Sequence, residues 1–120
     1  LAARPIPPKS YTLYFESGGD EIVPDSRAAL DAMLAEIAER KAVEVVITGH
    51  TDTMGPSNDN DRLSLDRARA VEKQLRDTLA AKGVQSESVT AVGRGERELL
   101  VNTADQAAEP RNRRVEITVR

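Results

Sequence analysis

The stretch VEVVITGHTDTMGPSNDNDRLSLDRARAVEKQLRDTLAAKG, residues 43–83, decides the architecture. Its first six residues, 43–48, are β-branched and nearly continuous in apolar character, as in an interior strand. Gly49 ends that strand. Residues 49–61 are polar, with Gly55-Pro56 as the turn, and read as a loop. From about Asp61 the apolar residues fall three and four apart as far as Lys82, and Gly83 sits where glycine commonly closes a helix. Strand, loop and long helix in succession describe a crossover rather than a hairpin.

Working outward, the same two periods recur. Leu30, Leu34, Ile37 and Lys41 stand three or four apart, with Ala29, Met33 and Ala38 beside them, so Pro24 or Asp25 to Arg40 is a first helix. Asp25 suits its N-cap and Pro24 marks the boundary. Residues 11–15 (YTLYF) have strand composition and run into a polar turn, Glu16 to Glu21. Residues 88–92 (SVTAV) form a third strand ending at Gly93, and 96–111 show no period and are expected as a loop. Residues 113–119 alternate, placing Val115, Ile117 and Val119 on one face of a last strand. The order is strand, helix, strand, helix, strand, loop, strand, which implies a mixed sheet with helices packed on it, an α+β fold. The first nine residues hold three prolines and read as an extended tether. The expected organisation is therefore a linker over 1–10 and one domain over 11–120. A start at Leu1 rather than Met suggests a fragment whose targeting sequence lay upstream.

Composition narrows the function. The chain has 120 residues, enough for one core, and aromatic residues make up only 2%, so that core is aliphatic. Few aromatics also means no platform on which bases or sugar rings could stack. A net charge of −3 provides no general attraction for nucleic acid or for anionic membranes. Any membrane association is expected through an upstream segment alone. Cysteine is absent, which excludes disulfides and thiolate metal sites.

One position breaks its own pattern. The row Leu63, Arg67, Val71, Leu75, Leu79 lies on a single helix face, and four of its five members are apolar. Arg67 therefore lies on or beside the buried stripe. Its stem could snorkel to water, or the core line could pass through Ala68 instead. Alternatively the guanidinium, near the start of a helix, awaits a carboxylate that its planar fork can grip with two bonds. Asp52 comes from the loop just before, at the carboxyl end of the central strand, where ligands of open α/β sheets gather. A carboxylate beside a guanidinium matches a zwitterion, though an internal Asp52–Arg67 ion pair explains the same two residues.

From Gly49 onward the residues resemble a known signature, that of the OmpA-like peptidoglycan-binding domain. The matching residues are Gly49, His50, Thr51, Asp52 and Gly55, then Asn60, Leu63, Ser64, Arg67, Ala68 and Val71. VGRGE (Val92 to Glu96) and PRNRRVEI (Pro110 to Ile117) are similar to its later segments, and YFESGGDEIVPDS to its first strand and helix entry, so the resemblance covers roughly residues 11–120. It implies a β-α-β-α-β-β two-layer sandwich with a four-stranded sheet ordered 1-4-2-3. It implies a non-covalent ligand, the meso-diaminopimelate of a peptidoglycan stem peptide, with Asp52 and Arg67 clasping its ends. Asn60 and the loop, including Thr51, Thr53, Gly55 and Leu63, are implied as supporting contacts, with Arg113 or Arg114 adding charge. The setting implied is the periplasm, as a domain that anchors an outer-membrane or envelope protein to the wall. Two positions depart from the pattern: Val23 stands where a threonine is frequent, and Glu109 where many members have arginine, a role Arg111 could fill.

Other constellations fail. His50 is the only histidine, so neither a transition-metal site nor a Ser57 or Ser64 triad can be assembled. Asp59, Asp61 and Asp66 lack EF-hand spacing, and Gly93-Arg94-Gly95 opens no helix, so it is not a nucleotide loop. The knot of Arg111, Arg113 and Arg114 is small for nucleic-acid binding. No metal, no cofactor and no enzymatic activity are expected. The alternative function is an envelope protein–protein interaction module on the same fold.

Overall fold

The computed structural model describes residues 9–40, 44–83 and 88–120. Four strands and two helices follow the order β1 (Lys9–Tyr14), α1 (Pro24–Arg40), β2 (Val45–Gly49), α2 (Ser57–Ala81), β3 (Val89–Gly93) and β4 (Arg114–Val119), with a short 3-10 helix over Pro110–Asn112. The strands form one sheet in the order β1-β4-β2-β3. β4 runs antiparallel to both β1 and β2, whereas β2 and β3 are parallel. The expected mixed, helix-covered α+β sheet is what forms.

Most strand boundaries shift by a residue or two, and two differences matter for the architecture. β1 begins at Lys9, which pairs with Val119, so the last two residues of the 1–10 stretch belong to the sheet. Residues 1–8 lie outside the described residues, as does Lys41 of the first apolar stripe. The second helix starts at Ser57, four residues earlier than its apolar spacing suggests. Pro56 is the cause: its fixed φ of −64° presets the entry, and its carbonyl accepts the first helical bond from the Asn60 N–H. The polar first turn carries no periodicity, yet Asp59 there suits the positive end of the helix dipole.

Strand alternation sends Leu13, Val45, Ile47, Val115, Ile117 and Val119 to one face. Against them pack Leu30, Met33, Leu34, Ile37 and Ala38 of α1, and Ala68, Val71, Leu75 and Leu79 of α2. Each large side chain enclosed this way contributes about 1.5–3 kcal/mol. Ala29 is exposed and lies off the stripe. Both candidate lines on α2 are real: Arg67 and Ala68 are each fully enclosed. The other sheet face carries His50, Arg114 and Glu116. Gly49 and Gly93 are partners across the β2–β3 pair, and both lie under the backbone of α2 at Ser64 and Leu65. Two missing side chains let the helix start press directly onto the sheet, bringing Arg67 to the carboxyl end of β2.

Candidate functional site

β2 ends at Gly49 and delivers His50, Thr51, Asp52 and Thr53 into a buried corner between α2, the Glu16–Gly19 turn and the loop before β4. Asp52 is 5% exposed. One oxygen accepts from the Met54 N–H at 3.2 Å, a local turn of the kind aspartate favours. The other accepts from the Glu109 N–H at 3.3 Å and from Nη1 of Arg113 at 3.1 Å. The ion-pair partner of Asp52 is therefore Arg113, not Arg67. Arg113 lies 61 residues on, and Phe15, the residue just after β1, offers a carbonyl to its Nε at 3.3 Å.

Arg67 is wholly enclosed, 0% exposed, with its guanidinium over the Phe15 ring at 5.5 Å. Its Nε donates to the Gly19 carbonyl at 2.8 Å, Nη1 to the His50 carbonyl at 3.0 Å and Nη2 to the Glu16 carbonyl at 3.0 Å. Neither snorkelling nor an Asp52 pair describes it: it staples the turn after β1 to the end of β2. Burial, the largest influence, pushes its pKa down to about 10; Asp52 and Asp20 counter this, and Arg113 reinforces it. It stays protonated at neutral pH. Two guanidiniums and one enclosed carboxylate thus share the corner with a net positive charge, and exposed Asp20 stands within its field.

The remaining expected residues divide by role. Asn60 donates to the carbonyls of Asp52 and Met54 at 3.3 and 2.9 Å and so shapes the loop from within. Thr51 turns its hydroxyl to the Asp52 carbonyl. The Thr53 hydroxyl is spent on the 103–107 loop, donating to Ala104 O at 2.7 Å and accepting from Ala107 N at 3.0 Å. Gly55 exchanges two hydrogen bonds with the side chain of Gln106, a residue held at φ 57°. Leu63 is half-buried. Arg114 belongs elsewhere: with Glu116 it occupies the opposite sheet face. Residues not foreseen are Glu109, through its backbone N–H, the Glu16 and Gly19 carbonyls, and Asp20. Backbone groups leave no trace in residue type, so sequence holds no signal for the first three.

The His50 side chain pairs with Glu116 and makes no bond to Asp52 among the described residues. Its Nε2 lies 3.1 Å from a Glu116 oxygen, and its Nδ1 is enclosed with no hydrogen-bond partner among the described residues. Burial and Arg114 lower its pKa below the usual 6.5, against the pull of Glu116 and Glu98. The unfolded chain therefore takes up this proton first as pH falls. Stability from neutral His50 is intact above about pH 6.5 and declines below it, until the folded state titrates too. A melting series from pH 8 to 5 should show this decline in the wild type and a flatter profile in His50→Gln; identical profiles would remove His50 as the cause.

Fold and site together define a small α+β module that presents an enclosed carboxylate and two guanidiniums. Among the described residues, no group of three or more acidic, His or Cys side chains is placed to hold a metal. The OmpA family profile matches residues 14–113, and the chain belongs to the OmpA family. It is 33% identical over 105 residues to outer membrane porin F of Pseudomonas fluorescens, covering 88% of this chain and 31% of the porin. It is 37% identical over 103 residues to the peptidoglycan-associated lipoprotein of Pasteurella multocida, covering 86% of this chain and 66% of the lipoprotein. The chain thus spans about a third of the porin and just under two thirds of the lipoprotein. The crystal structure of the peptidoglycan-associated lipoprotein from Burkholderia pseudomallei superposes with a TM-score of 0.76 at 25% identity, covering 91% of this chain and 89% of that one.

Proposed function

We propose that this domain binds peptidoglycan non-covalently through the diaminopimelate residue of a stem peptide, anchoring an envelope protein to the cell wall from the periplasmic side. Membership of a family that includes peptidoglycan-associated lipoproteins supports the polymer as partner. The domain holds its ligand and is not an enzyme. The observation that carries the ligand class is the grouping of Asp52 with two guanidiniums at the end of β2.

The chemistry follows from charge. A free amino-acid centre brings one ammonium and one carboxylate. Asp52, aided by Asp20 at the surface, attracts the ammonium. The net positive corner of Arg67 and Arg113 attracts the carboxylate, and each guanidinium has N–H donors beyond the bonds already described. Arg113, at 14% side-chain exposure, is the more reachable cation. A direct bond to Arg67 requires the exposed Glu16–Gly19 turn to shift, which releases its carbonyls to water. Thr51, Thr53, Asn60 and Gly55 act by fixing the loop that carries Asp52, and Leu63 lies on the helix beside it.

Purified sacculi containing diaminopimelate should pull down the wild-type domain. Asp52→Ala should reduce the bound fraction at least tenfold at equal folded content, because it removes the anion that receives the ammonium. Unchanged capture by Asp52→Ala would sink the site; absence of capture by the wild type would sink the function.

A further inference from the structure

Arg113 has a second surroundings besides Asp52. Its side chain also lines a cleft of about 380 Å³ between the first turn of α1 and the 3-10 helix. That volume lies within the range of small-molecule sites, roughly 300–1,000 Å³. Tyr14, Phe15, Val23 and Pro110 give the cleft apolar walls. Asp25 lines it from the α1 side and Arg111 from the opposite, 3-10 side. The Arg111 side chain is 63% exposed; Glu109 engages its Nε and Nη2, and the Nη1 donors take no part in that pair.

We infer that this cleft is a second subsite for the same peptide, taking the short aliphatic residue that follows the diamino acid and ends in a free carboxylate. The inference rests on the proposed function above. Three features of such a residue find counterparts here. Its amide N–H meets the Asp25 carboxylate, its methyl meets the Val23 and Pro110 wall, and its carboxylate meets Arg111. Continuity supports the placement: Asp52, Thr51, Asn60 and Arg67 are all at most 5% exposed. A ligand held at the Asp52–Arg113 pair therefore has its next residue directed past Arg113, and on that side the cleft is open. Val23 also gains a meaning. It adds an apolar side chain to this wall.

The test is calorimetric titration of the 120-residue chain with three peptides. They are a tripeptide ending in meso-diaminopimelate, its extension by one D-alanine, and that extension with an amidated carboxyl end. The extended acid should bind about tenfold more tightly than the tripeptide, the worth of one charge-assisted contact with some apolar burial. Amidation should erase most of the gain. Arg111→Ala, a change at an exposed side chain, should erase it as well while leaving tripeptide affinity unchanged. Equal affinity of tripeptide and extended acid in the wild type overturns the subsite alone. So does Arg111→Ala if it weakens both peptides equally. Failure of the wild type to bind the tripeptide overturns the underlying reading, and the subsite with it.

Discussion

Gly49→Ala should remove a large share of the domain's stability at 25 °C. A Cβ built there falls 1.8 Å from the Ser64 carbonyl oxygen and 2.8 Å from its carbon, both backbone atoms with no rotamer to swing away. β2 cannot retreat, because it is hydrogen-bonded to β3 on one side and β4 on the other. Relief must come from lifting α2, which pulls Ala68 and Val71 out of the core. Overpacking usually costs about 1–3 kcal/mol where side chains can adjust. Here only whole elements can, so a loss of about 4 kcal/mol or more is expected, a large share of the roughly 5–15 kcal/mol that holds a domain together. Gly93→Ala should behave similarly, meeting the Leu65 nitrogen at 2.6 Å. Gly19→Ala is the control, since nothing lies within 4 Å of its added carbon. Urea unfolding followed by circular dichroism reads all three. A Gly49→Ala midpoint matching that of Gly19→Ala would contradict the close seating of α2 on the sheet.

Arg67→Met should separate what Arg67 does for the fold from what it does for binding. Methionine keeps the apolar stem but strands the His50 carbonyl inside the protein, a penalty of about 1–3 kcal/mol. The Glu16 and Gly19 carbonyls sit on an exposed turn and can turn to water, so they add less. Removing a desolvated cation offsets part of the loss, as its lowered pKa indicates. A net loss of about 2 kcal/mol is expected, which for a domain of this size lowers Tm by roughly 8 °C. Capture by sacculi should fall much further, about a hundredfold, because the turn after β1 loses its staple and the corner loses half its positive charge. Arg67→Lys should recover part of the Tm but little of the capture, since an ammonium cannot serve three divergent carbonyls together. Full capture by Arg67→Lys would show that binding needs only the positive charge at this position and not the guanidinium's fork.

The glycine and the arginine differ in how they could be known. Arg67 is conspicuous in the string because an ion interrupts an apolar row, and such an interruption needs no coordinates to be noticed. Its partners could not be named, since they are carbonyls, which every residue has. For Arg113 against Arg114 the needed signal was present: Arg113 shares the parity of Val115, Ile117 and Val119, the residues that face the helices. Arg114 shares that of Glu116, and the strand's period of two sends it to the other face. Asp52 was picked out by its place after the central strand, yet its pairing with a residue 61 positions away depends on β4 lying beside β2.

Local physics, read from the amino-acid order, was enough to determine the two helices, the strands, the apolar stripe of each and the loop that carries Asp52. Each of these depends on side-chain spacing within a few residues, and spacing is a property of the string itself. Which cation neutralises Asp52, how deeply Arg67 is enclosed, and why Gly49 and Gly93 tolerate no side chain were decided only by the tertiary structure. Those outcomes depend on register between distant strands and on how closely a helix backbone approaches a sheet, distances that exist only once remote segments have packed together.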